Sequence, residues 1–108
     1  MAYTPTRFAG PTLLTATASP LYTFPSQAII KELLISNISN GLLSFSMWIV
    51  PNGATYADQY KILGDIEIDG NTTVVLDMAQ VANAGESLYA VANVNNYINV
   101  CISGVLVQ

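Results

Sequence analysis

The chain has 108 residues, 52% apolar and only 9% charged, with a net charge of −4. That length makes one domain, large enough to bury a core without a disulfide or metal staple. Its three basic residues, Arg7, Lys31 and Lys61, are scattered through an acidic chain, whereas phosphate binding needs clustered Lys and Arg, so nucleic-acid partners are excluded.

Residues 1–12 read as an extended N-terminal arm. Pro5 and Pro11 exclude a helix between them, and Pro, Thr and Gly dominate. Such an arm is expected to be disordered or to dock on a neighbouring subunit. It lacks the apolar segment of a signal peptide. No apolar run in the chain approaches the ~18–20 residues that span a bilayer, so a soluble protein of a reducing compartment, with no membrane partner, is expected. The domain proper is then residues 13–108.

Residues 13–17 suggest a first short strand and residues 21–24 a second, ended by Pro25. Residues 28–38 form a longer candidate, with Ile29, Leu33 and Ile35 expected on one face and Ile30, Leu34 and Ile38 on the other. Apolar groups on both faces mark a strand covered twice or exposed to a partner. Asn40-Gly41 follows, a strong hairpin signal. Residues 42–50 alternate, with Leu43, Phe45, Met47 and Ile49 on one face and Ser44, Ser46 and Trp48 on the other. Trp48 therefore needs a cover: the arm, a loop or another subunit.

A loop runs from Pro51 to about Tyr60, with room for one helical turn over residues 57–61. Residues 62–68 and 72–76 flank Asp69-Gly70-Asn71 and read as a hairpin. Residues 78–84 fit neither helix nor strand cleanly. Residues 88–92 and 97–107 are the last strands, with Ile98, Val100, Ile102 and Leu106 on one face. Seven or eight short strands at regular spacing predict an all-β antiparallel sandwich, jelly-roll or Ig-like, with the extended arm in front.

Chemistry is sparse. The chain has no histidine, which removes the common serine and cysteine triads, and its one cysteine, Cys101, lies in an apolar run that suits a small buried hydrophobe. His/Cys zinc sites are excluded by count, and no Gly-rich phosphate loop is present. Asp65, Glu67 and Asp69 alternate along one strand face. They suit a charged, aggregation-resistant edge better than a calcium site, which takes six to eight oxygen ligands. No cofactor, no metal and no enzymatic activity is expected. Tyr56 and Tyr60, in the mid-chain loop, are the tyrosines placed to stack on a sugar.

The order of segments resembles small β-sandwich structural proteins of tailed bacteriophages over residues 19–107. The matching positions are Leu21, Tyr22 and Pro25; Asn37; Val50 and Pro51; Gly70 and Thr72; Ala84, Gly85, Glu86, Leu88, Tyr89 and Ala90; and Ser103 and Gly104. The resemblance implies a virion component, most simply a capsid decoration (cement) protein bound to the major capsid protein or other virion proteins and self-associated as a homotrimer. A neck, tail or fibre module, or a carbohydrate-binding module, are the alternatives. The charge-poor composition fits a surface made for protein contacts. The contact residues expected are Tyr3, Arg7 and Phe8 of the arm, Ile30 and Leu34, Trp48, and Tyr56 and Tyr60.

Overall fold

Alternation along residues 43–50 becomes structure directly: Phe45, Met47 and Ile49 are buried in the hydrophobic core. In the computed structural model, which describes residues 2–107, eight strands repeat this logic. They are β1 (Tyr3–Leu13), β2 (Ser19–Thr23), β3 (Ala28–Asn37), β4 (Leu43–Val50), β5 (Lys61–Ile68), β6 (Thr72–Ala82), β7 (Ser87–Ala92) and β8 (Ile98–Val107), with a 3₁₀ turn (Asp58–Tyr60) before β5.

Two four-stranded sheets result, β1-β8-β3-β6 (sheet I) and β2-β7-β4-β5 (sheet II), and every pairing is antiparallel. The first strand pairs with the last, the second with the seventh, the third with the sixth and the fourth with the fifth. This is a long antiparallel ribbon rolled on itself, the jelly roll, which resolves the choice between the two expected sandwich types. Ile30, Leu33, Ile35, Ile98, Val100 and Ile102 of sheet I face Phe45, Met47, Ile49, Leu88 and Ala90 of sheet II in one apolar core.

The roll overturns three local expectations. Asn40-Gly41 and Asp69-Gly70-Asn71 are not hairpin turns. Each carries the chain from one sheet to the other, so β5 pairs with β4 and β6 with β3. Residues 14–18 connect β1 to β2, where a first strand was expected at 13–17. The ambiguous stretch after Leu76 continues β6 to Ala82.

The expected arm is β1 itself. It pairs with β8 from Tyr3↔Val107 to Leu13↔Asn99 and is an edge strand of sheet I, where proline is tolerated. Phe8 is 2% exposed and packs with Tyr22 and Phe24 in a triangle of rings, each pair of centroids 5.2 Å apart. That cluster closes the mouth between the two sheets beside β1 and β2. Residues 1–12 are thus no separate unit, as far as they are described; Met1 lies outside the described residues.

A bulge in β3 between Ile30 and Glu32 changes the facing of its side chains. Ala28 and Ile30 point into the core ahead of the bulge, and Leu33, Ile35 and Asn37 after it. Ile29 and Leu34 share the outer face instead. A strict two-residue alternation could not predict this, because the extra residue at Lys31 resets the parity.

Candidate protein interface

The eight residues expected to make contacts divide into three groups. Phe8 and Ile30 are core residues, and their burial removes them from any interface. Tyr3, Arg7 and Leu34 lie on the outer face of sheet I. Trp48 and Tyr56 form a cluster on the outer face of sheet II, with Tyr60 half-buried at the end of the same loop.

Trp48 is a correction of a different kind. Its position on the outer face of β4 is as the alternation predicts, yet only 5% of it is exposed. The cover is supplied by the chain. Tyr56 meets the indole edge-on, at 5.5 Å and 71°, and Tyr56 stacks on Tyr89 at 5.9 Å and 28°. Lys61 places its ammonium 5.4 Å from the indole centroid, a cation–π contact. Trp48↔Tyr89 and Trp48↔Lys61 are cross-strand neighbours, so the sheet register builds this group. Tyr89 and Lys61 were missed because nothing in their own segments announces the partnership. Trp48 is therefore unavailable as a contact residue, whereas Tyr56 remains 48% exposed.

The outer face of sheet I is organised in rows that the registers define. Pro5, Val105, Ile29 and Val81 make one row across the four strands. Arg7, Ser103, Glu32 and Asp77 make the next. Cys101, Leu34 and Val75 follow, then Leu13, Asn99, Ser36 and Thr73. Apolar rows thus alternate with polar ones. Five of the nine exposed large hydrophobics among the described residues, Tyr3, Leu13, Leu34, Val75 and Val81, belong to this face. Cys101 is half-buried here and not in the core, because Ile98, Val100 and Ile102 take the inward positions of β8.

The sequence offered a signal for this surface in the β-branched residues of segment 72–82, whose strand character was cut short at Leu76. Arg7, Lys31, Glu32 and Asp77 form no ion pair among the described residues; the Lys61–Asp58 contact at 3.8 Å lies elsewhere.

The carboxylates Asp65, Glu67 and Asp69 do not converge. Asp65 adopts a left-handed backbone (φ 48°) at an irregularity of β5, its N–H donates to the Ser46 hydroxyl at 2.9 Å, and that hydroxyl donates back to its carboxylate at 3.4 Å. Among the described residues no group of three or more His, Cys, Asp or Glu is placed to hold a metal ion, and no pocket opens on the surface. No family model, curated protein or solved structure matches this chain.

Proposed function

We propose that this protein is a structural component of a virus particle, a capsid decoration protein that binds the shell and copies of itself through exposed apolar surface. The observation that carries the reading is the outer face of sheet I, where rows of exposed apolar side chains stand on a four-stranded sheet in a chain with only 9% charged residues. Exposed apolar patches of that kind mark sites of protein contact. The segment-by-segment resemblance to tailed-phage sandwich proteins supplies the virion context. The jelly roll is compatible with it, being a fold of viral capsid domains, but it serves lectins too and decides nothing alone.

The role proposed is mechanical and not catalytic. Repeated by symmetry, many modest contacts add up to strong attachment by avidity, without any single tight site. The major capsid protein, or another virion protein, is the partner proposed. Copy number tests the reading. Quantitative mass spectrometry of purified particles should find this chain in hundreds of copies per particle. A few to dozens would move it to the neck, tail or fibre, and its absence from particles overturns a virion role.

A second reading has one observation behind it. The exposed Tyr56 ring, held by Trp48 and Tyr89, is an aromatic surface of the sort that stacks on sugars. Tyr60 does not join that ring cluster, so the two-tyrosine platform expected from the sequence narrows to Tyr56. Glycan binding abolished by Tyr56→Ala would establish a carbohydrate-binding module instead.

A further inference from the structure

We propose that the outer face of sheet I packs face to face on the same face of a second copy of this chain, about a two-fold axis parallel to the strands. This goes beyond the virion reading and does not rest on it. The occupant is fixed by the distribution of charge.

The charged row runs Arg7 (β1), Ser103 (β8), Glu32 (β3) and Asp77 (β6), with Lys31 exposed at the adjoining bulge. Strands are about 4.8 Å apart, so the positive end at Arg7 and the negative end at Asp77 stand roughly 14 Å apart across the sheet. An axis between β8 and β3, parallel to the strands, lays β1 of one copy over β6 of the other. Each row then meets itself end for end. Arg7 faces Asp77 of the second copy, twice by symmetry. The row of Pro5, Val105, Ile29 and Val81 lies on its own apolar equivalent, as does the row of Cys101, Leu34 and Val75.

The other in-plane two-fold, perpendicular to the strands and along the charged row, places Arg7 on Arg7 and Asp77 on Asp77. Like-charge juxtaposition rejects that arrangement. An isologous contact requires one patch to be complementary to itself, and of these two aligned packings this face meets that condition only in the first. Sheets packed in this way lie about 10 Å apart with strands nearly aligned, the ordinary geometry of sandwiches.

The size of the face sets the strength. Four rows at about 6.8 Å spacing and four strands at about 4.8 Å give roughly 500 Å² per copy and about 1,000 Å² in all. That is the lower bound for a specific interface, so the dimer is expected to be weak alone and to count when repeated in an assembly.

Sedimentation equilibrium of the full chain between about 1 μM and 1 mM tests the proposal. The mass should rise from 11.5 kDa towards twice that value. Asp77→Arg and Arg7→Asp should each weaken the dimer at least roughly tenfold, and the charge-swapped double variant should regain it, because opposite charges again meet. Far-UV circular dichroism establishes that the variants are folded. The native chain gives a second readout that needs no variant: thiol labelling of Cys101, half-buried on this face, should slow as concentration rises. A chain that stays monomeric with Cys101 equally reactive throughout overturns the proposal and leaves the face to another partner. A three-fold mass overturns it too, as do single charge reversals without effect.

Discussion

The Asn37 side-chain amide donates a hydrogen bond of 2.9 Å to the carbonyl of Ile68, joining the end of β3 in sheet I to the end of β5 in sheet II. The same amide donates to the Gly41 carbonyl at 2.8 Å, while its oxygen accepts from the Ser39 N–H and hydroxyl at 2.9 and 2.7 Å. Asn37 is buried, and all four of its hydrogen-bonding positions are used. It acts as a pin through both chain crossings at this end of the roll. Asn37→Ala removes the pin and takes a donor from the buried Ile68 carbonyl, while the Gly41 carbonyl keeps the Ser39 hydroxyl, at an expected cost of about 3 kcal/mol. Urea denaturation should show a lower midpoint at unchanged slope. A loss under about 1 kcal/mol would mean the crossings are held by something else.

The second crossing leans on the first at Gly70. A Cβ there would lie 2.5 Å from the Asn40 carbonyl carbon and 2.7 Å from the Gly41 nitrogen, both backbone atoms that cannot swing aside. Asn71 N–H also donates to the Ser39 carbonyl at 2.8 Å. Gly70→Ala should therefore cost about 1–3 kcal/mol through forced separation of the two loops. Because Asn37 and Gly70 secure one contact, their combined substitution should cost less than the sum of the singles in a double-mutant cycle.

This corner also marks how far the sequence could be read. The strand positions 28–37, 43–50, 61–68, 87–92 and 98–107 follow from apolar alternation and turn residues, which are local signals. Partner choice is not local. Asn40-Gly41 announces a turn, but whether the next strand returns beside the last or crosses to the other sheet depends on which apolar faces must be buried together. Asn37, one of nine asparagines in the chain, settles it by a buried amide whose partners lie 4 and 31 residues away. The candidate interface was legible at Tyr3, Arg7 and Leu34. Val75, Asp77 and Val81 were not, because the irregular pairing around residues 78–80 blurs the alternation of β6.

Phe8 gives the arm question a direct answer. It stands in the core with Tyr22 and Phe24, so Phe8→Ala is expected to cost about 3–5 kcal/mol. Deleting residues 1–12 removes this ring and nearly all of the β1–β8 ladder together. The truncated chain should fail to fold cooperatively, with lost near-UV signal and no sharp melting transition. A truncated chain that melts like the intact one would show β1 to be dispensable, as an arm docked on a neighbour would be.

The single tryptophan makes the aromatic cluster measurable by fluorescence. Tyr56 belongs to the loop and packs edge-on against Trp48, whose indole nitrogen is buried without a hydrogen-bond partner. Tyr56→Ala should admit water to the indole, shifting its emission to the red and raising its quenching by acrylamide. The stability cost should be about 0.5–1.5 kcal/mol, the usual worth of an aromatic pair, because the hydrophobic core lies on the other face of the sheet. Trp48→Phe is expected to be milder still than a core truncation: it keeps most of the ring packing and discards an N–H that gains nothing where it is. If Tyr56→Ala leaves the emission unchanged, the cover of Trp48 comes from Tyr89 and Lys61 on the strands, and the loop is free to meet another molecule without exposing the sheet beneath it.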